Sequence, residues 1–504
     1  MNMPSLPKLG VSTRPQGDHR LYVLPVGKAL PADLPERDFW QRLQKRKDAK
    51  IAELAKTPVA ADLPDGTRVA LVMVDAEKPR FERLTALRKA VMLLLDEAPK
   101  ALCIVPLGVA EDVVQDAVYV ALVNGVPLPA QKKKPPQALR EITVTGRRSV
   151  GNAASADFSE VLALARANLL ARELTALPPN LLDPAHYRKR LRALAKEKAF
   201  VIEEYDFRKL KTMGAGAFCA VAQGSDGEGG NAAIVRLSWR PKKAAKTIAL
   251  VGKGICYDTG GHNLKPAKYM AGMHEDMNGS AVALAILTAA AELNLPIAID
   301  CWLAIAKNHL SPAAYAQGDI VRALDGTTIE VIHTDAEGRM VLADTLALAA
   351  KQKPSLMIDF ATLTGSMHTA LGSRYSGVFA SDDELAARAV LAGTQSGERV
   401  CVFPHDADYE TALDSKVADI KQCTLEGDAD HILAARFLGR FVGKTPWLHV
   451  DLSASSCTGG LGAVGTDLTG FGVAWAMALL QGWTGIGLAM NTGGAENSPA
   501  SGRK

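Results

Sequence analysis

The chain has 504 residues, more than one compact core ordinarily organises, so two domains are expected. With 48 % hydrophobic and 22 % charged residues the composition is that of a globular protein and excludes a disordered chain. The net charge of +4 is too small to argue for nucleic acid by itself.

Seven cysteines are scattered, odd in number, and form no CxxC pair. That pattern speaks against a disulfide framework or a structural zinc knuckle and for a reducing cytoplasm. No secretory leader is expected, because the first 17 residues lack its apolar stretch, and no apolar run reaches membrane-spanning length.

In chain order, residues 1–17 are punctuated by Pro and Gly and expected to be loose. Residues 20–26 read as a strand, 36–56 as a charged helix, 68–74 as a strand and 80–96 as an amphipathic helix. A strand over 101–106 and a helix over 110–123 complete the alternation, with 140–144 as one more strand. A small N-terminal α/β domain over residues 1–150 is the expectation. The Lys132, Lys133 and Lys134 run between them reads as a solvated connection, since no aromatic or Arg interleaves with it.

Residues 151–484 are expected to form a C-terminal catalytic α/β domain, a central mixed sheet flanked by helices, with 485–504 as a flexible Gly/Ser/Asn/Ala tail. Helices are expected over 157–177 and 181–198, and a strand over 200–205. A short β run over 247–251 opens into Gly252-Lys253-Gly254. An Ala-rich buried helix follows over 280–293, then an apolar strand over 297–306 of the kind found mid-sheet. Asp325-Gly326 between residues 319–323 and 328–332 signals a hairpin. It delivers the chain into His333-Thr334-Asp335-Ala336-Glu337-Gly338-Arg339, followed by a helix over 340–352 and a strand over 356–361.

Two clusters stand out at these predicted strand ends, where open α/β sheets place ligands. The first holds Lys253, Asp258, Lys265 and Asp276 among glycines; the second holds Asp335 and Glu337. A dinucleotide loop is excluded because the third glycine would fall at Tyr257, and a P-loop because the lysine precedes the second glycine. Four unpaired carboxylates would repel severely, and divalent cations are the simplest remedy. Oxygen-rich, sulfur-free ligation suits Mg, Mn or Zn, and two metals about 3.5–4 Å apart can activate one water. Residue types and spacing thus point to a binuclear metal hydrolase.

The blocks Val251-Gly252-Lys253-Gly254-Ile255, Asp258-Thr259-Gly260-Gly261, Glu275-Asp276-Met277-Asn278-Gly279, Thr334-Asp335-Ala336-Glu337-Gly338-Arg339 and Ala361-Thr362-Leu363-Thr364-Gly365 resemble the leucyl (cytosol) aminopeptidase family, over roughly residues 157–480. The resemblance implies a cytoplasmic homohexamer that removes N-terminal residues from peptides with a free amine. It implies two metal ions per subunit, Zn or Mn and also Mg. One would be held by Lys253, Asp258, Asp276 and Glu337, the other by Asp258, Asp335 and Glu337. Arg339 would hold bicarbonate as general base, with backbone near Ala336, Gly338 and Leu363. Lys265 would bind the tetrahedral oxyanion of the metal-activated water's attack. Met273, Thr362 and Ala454 fall where the family builds its side-chain pocket.

His333, His262 and Asn263 depart from the family's usual residues, and Cys256 reads as a small buried residue. Two other functions fit parts of the pattern: an architectural DNA-binding protein on the same fold, and a two-metal phosphoesterase.

Overall fold

The computed structural model describes residues 5–48, 50–146, 158–225, 230–244 and 246–483. The boundary expected at residue 150 and the expected tail over 485–504 lie outside the described residues.

Six N-terminal strands are β1 (Lys8–Ser12), β2 (His19–Pro25), β3 (Val59–Asp62), β4 (Arg68–Val74), β5 (Ala101–Pro106) and β6 (Glu141–Thr145). They form one sheet in the order β1-β6-β5-β2-β4-β3, parallel except at the β3 edge. Helices Arg80–Leu95 and Glu111–Asn124 cover one face; helix Arg37–Lys47 and the turn Ile51–Ala55 cover the other.

Two expectations change here. Lys8–Ser12, expected to be loose, pairs along β6 as a strand. The single helix expected over 36–56 breaks after Lys47, because Asp48 turns left-handed at φ 50° and its N–H caps the carbonyls of Gln44 and Lys45.

The second sheet comprises β7 (Val201–Asp206), β8 (Ala233–Trp239), β9 (Thr247–Asp258), β10 (Ala298–Asn308), β13 (Leu356–Ala361), β14 (Ser376–Ala380), β15 (Val400–Val402) and β17 (Trp447–Asp451). Its order is β15-β14-β17-β13-β9-β10-β8-β7, so β9 lies at the centre with parallel neighbours β13 and β10. β11 (Ile320–Arg322), β12 (Thr328–Glu330) and β16 (Ile420–Lys421) form a small separate sheet, with the expected hairpin joining its first two strands. Helices Ser159–Thr175, Asn278–Glu292 and Val473–Trp483 cover one face of the large sheet. Helices Gly216–Ala222, Glu337–Ala350 and Asp430–Gly439 cover the other. This is an α/β fold with a mixed central sheet flanked by helices.

β9 positions the site. The β run expected to stop at Val251 continues to Asp258, straight through the glycines. Glycine weakens an ordinary strand, but here it permits close approach. A Cβ on Gly252 would lie 2.4 Å from Ser280 Cα, and one on Gly279 would lie 2.1 Å from the Phe360 carbonyl oxygen. Helix Asn278–Glu292 therefore lies backbone against backbone on β9 and β13.

Candidate active site

Lys253 projects from the middle of β9, and Asp258 ends it opposite Asn308 of β10. Asp276 comes from the 3-10 turn Met273–Met277, which feeds helix Asn278–Glu292. Glu337 is the first residue of helix Glu337–Ala350, and Asp335 sits two residues before it. All five, with Lys265, line one open cavity of about 1150 Å³.

The six side chains interlock. Lys253 Nζ donates to Asp276 Oδ1 at 2.8 Å and to the Thr362 carbonyl at 3.0 Å, and lies 2.9 Å from Glu337 Oε1. Lys265 Nζ lies 3.0 Å from Asp258 Oδ2 and 2.5 Å from Asp335 Oδ1. Asp258 Oδ1 accepts from the Gly260 N–H and from Asn308 Nδ2, both at 2.9 Å. Ligand atoms of Asp258, Asp335 and Glu337 all lie within 4.8 Å of one another.

Burial raises the carboxyl of Asp276 to about 8 and that of Asp335 to about 7; the neighbouring carboxylates add to the rise and the lysines oppose it. Burial and Asp258 also raise Glu337. Burial alone would lower both lysines, but the surrounding carboxylates outweigh it and hold Lys253 and Lys265 above the ordinary lysine value. The two ammonium groups thus stand between carboxylates as the site's own cations.

These residues fit a divalent metal. Asp276 Oδ2 and Glu337 Oε2 are buried and accept no hydrogen bond. A buried acceptor left without a donor costs roughly 1–3 kcal/mol, and a hard cation satisfies such oxygens directly.

Met273, Ala336, Arg339, Thr362 and Leu363 line the same cavity. Gly338 instead lies behind Lys253: a Cβ there would fall 2.5 Å from Lys253 Cε. Ala454, expected in the side-chain pocket, is fully buried, and its neighbours Ser453 and Ser455 face the cavity instead. Arg339 is buried too; Nη2 donates to both oxygens of Asp430, at 2.8 and 2.9 Å, and Nη1 to the Gln422 carbonyl at 2.9 Å.

The residues that depart from the family pattern are mostly accounted for by loop packing. Asn263 Oδ1 accepts the Thr334 N–H and its own N–H donates to Thr334 Oγ1, both at 2.8 Å, clamping the two site loops together. His333 Nδ1 accepts the Asp335 N–H at 3.2 Å. Burial and then Lys265 lower its pKa, so it is neutral near pH 7. His262 is exposed. Cys256 is buried, and burial pushes its thiol up.

Sequence reading missed Asp430, Asp451, Asn308 and Gln422. Asp451 ends β17, lines the cavity, and accepts the Leu363 N–H at 3.0 Å and the Thr364 hydroxyl at 2.7 Å. The apolar run Trp447–Asp451, closing on a carboxylate, is the signal that could have found it.

Comparison with known proteins agrees with this geometry. Residues 169–477 match the model of the cytosol aminopeptidase family, catalytic domain. A probable cytosol aminopeptidase of Stutzerimonas stutzeri (strain A1501) is 41 % identical over 332 residues, 65 % of this chain and 66 % of that protein. A second, from Rhodopseudomonas palustris (strain BisA53), is 35 % identical over 446 residues, 87 % of this chain and 79 % of that protein. Among solved structures, the bottromycin maturation enzyme BotP in complex with Mn is 31 % identical, with a TM-score of 0.80 over 93 % of this chain and 99 % of that one. The chain belongs to the cytosol aminopeptidase family.

Proposed function

We propose that the chain is a metal-dependent aminopeptidase that releases the N-terminal residue of peptides. The observation that carries this reading is the convergence of Asp258, Asp335 and Glu337 with Lys253, Lys265 and Asp276 in one open cavity. Lys253, Asp258, Asp276 and Glu337 would hold one divalent ion, and Asp258, Asp335 and Glu337 a second. The Mn named for BotP supports Mn, beside Zn or Mg. When bound, the ions acidify water and polarise the scissile carbonyl.

The chain's own groups do the rest. Lys253 must lose its proton to become a ligand, so metal loading releases protons. Lys265 keeps its charge at the cavity wall, where an ammonium donor stabilises the developing oxyanion. Asp276 would receive the substrate's free α-amine, which would restrict cleavage to N-terminal residues. Met273 and Thr362 bound the side-chain pocket. Bicarbonate at Arg339, whose buried Nε has no partner within the chain, would be the general base.

The reading includes a homohexamer in the cytoplasm, with residues 1–150 and 151–484 as separate domains. The seven free cysteines support a reducing compartment. Among the described residues no helix is long and apolar enough to cross a membrane. Neither alternative gains support: Lys132, Lys133 and Lys134 are exposed on an irregular segment, and the family match is to a peptidase.

The test is hydrolysis of aminoacyl anilides beside a phosphate monoester. Chelation should abolish anilide cleavage and Mn or Zn restore it. Lys265→Ala should lower kcat by a hundredfold or more while metal content stays near wild type. Full activity after exhaustive chelation would refute the proposal.

A further inference from the structure

One wall of the cavity presents neutral hydroxyls where the rest presents charge. Thr362 links the two regions: its hydroxyl donates to Asp276 Oδ1 at 2.7 Å, and the next two residues, Leu363 and Thr364, donate to Asp451 at the end of β17. Beyond Asp451 the chain runs Leu452-Ser453-Ala454-Ser455-Ser456-Cys457-Thr458, with no charged residue. This segment is pinned from its buried side. The Ala454 N–H donates to Ser376 Oγ at 3.2 Å, and Thr469 donates to the carbonyls of Ala454 and Ser455, at 2.6 and 3.0 Å. Ala454 points inward with no exposed surface, and Ser453, Ser455, Ser456 and Thr458 line the cavity. Ser373 joins them from the neighbouring loop, its hydroxyl 3.4 Å from Cys457 Sγ.

The hydrogen-bonding capacity of this wall is largely unspent. Ser453 Oγ donates to the Tyr375 carbonyl at 2.7 Å, which leaves its lone pairs to accept from the cavity. Among the described residues, no hydrogen bond engages the hydroxyls of Ser455, Ser456 or Thr458. Ser455 and Ser456 are half-buried. An apolar side chain laid against them removes their water and returns no partner, whereas a carboxamide or hydroxyl returns a donor and an acceptor together. The segment offers no counter-charge to an ammonium or a carboxylate. A site built to hydrogen-bond its substrate rejects the isostere that lacks the group, more strongly than an apolar pocket rejects an added hydroxyl.

We propose that this pocket selects an N-terminal residue with a neutral hydrogen-bonding side chain, a carboxamide or a hydroxyl, over leucine. The inference rests on the aminopeptidase reading, with the substrate's α-amine at Asp276 and its side chain between Met273, Thr362 and the hydroxyl wall. Ser455 and Ser456 determine the specificity by bonding the end of that side chain, and Met273 packs against its stem.

The test uses two isosteric pairs of aminoacyl anilides, Asn against Leu and Thr against Val, on the Mn-loaded protein. Wild type should show kcat/KM about tenfold higher for Asn than for Leu, and higher for Thr than for Val, as one or two added neutral hydrogen bonds give. Ser455→Ala combined with Ser456→Ala should lower the Asn-to-Leu ratio about tenfold, through a higher KM for Asn and a lower one for Leu, with metal content at the wild-type level. Titration calorimetry with asparagine amide and leucine amide reads the same preference without turnover.

A wild type that prefers Leu to Asn, or that cleaves a Lys or Asp anilide fastest, would overturn the proposal. So would an unmoved ratio in the folded, metal-loaded double variant. Should the double variant fail to fold, each single substitution carries the same test. If wild type cleaves no anilide at all, the aminopeptidase reading fails and calorimetry still decides. Tighter binding of asparagine amide then supports the pocket, and equal or weaker binding overturns it.

Discussion

At the scale of single residues, the site is a set of carboxylates held against their own repulsion. Without metal, Asp276 is raised to about 8 and Asp335 to about 7, mainly by burial. A carboxyl raised on folding binds more protons folded than unfolded. Its contribution to stability is therefore complete below the unfolded value of about 4 and is lost as pH rises through 7 to 8. Thermal melts of chelated protein should show Tm falling from pH 5 to 8. With saturating Mn the fall should vanish, because the ion replaces the protons. A chelated protein whose Tm is flat or rises across that window would contradict the assigned burial of these two carboxyls.

Lys253, Asp258, Lys265, Asp276, Asp335 and Glu337 were legible in the sequence because each sits in a glycine-marked block with its own local signature. Asp430 and Asp451 were not. Asp430 lies in Gly427-Asp428-Ala429-Asp430, which reads as a solvated acidic turn. Only the tertiary contact with Arg339, 91 positions earlier, makes it part of the site.

At the scale of elements, the central contact is helix Asn278–Glu292 on β9. Gly252→Ala would press a methyl group to 2.4 Å from Ser280 Cα and 2.7 Å from the Gly279 carbonyl oxygen. Both are backbone atoms, so neither can swing away. The expected outcome is destabilisation of about 3 kcal/mol or more, read from chemical denaturation of the metal-free protein. A change below 1 kcal/mol would show that the helix can lift off the strand.

The apolar strand β10 and the Ala-rich helix were readable from composition alone. β8 is harder to read from sequence, since Arg236 and Ser238 interrupt its apolar run. Both side chains turn to Asp300 of β10, at 3.1 and 2.5 Å, so a polar pattern inside the sheet is satisfied across strands. β9 reads short in the sequence because glycine ordinarily weakens a strand, and the reason for its glycines lies in a helix some thirty residues on.

At the scale of the whole molecule, the described residues of the N-terminal sheet region brace the cavity without lining it. Arg88 Nη1 donates to the carbonyls of Gly459 and Val464, at 3.1 and 2.8 Å. Asn124 exchanges bonds with Ala463 and Gly465, at 2.8 and 2.7 Å. The segment they hold carries Ser455, Ser456 and Thr458 into the cavity wall. Arg88→Ala should therefore raise KM for a dipeptide by roughly tenfold, the effect of one charge-assisted hydrogen bond of about 1.5 kcal/mol. Metal content should stay at the wild-type level. An unchanged KM would mean that the segment holds its shape alone.

The contact between Gly338 and Lys253 restricts how this sequence can drift. A methyl group at 338 would collide with the lysine chain, and a shorter residue at 253 would leave Asp276 and Glu337 without their cation. A side chain at 338 would therefore have to push the end of Lys253 away from Asp276 and Glu337, so the bareness of one residue keeps the reach of the other.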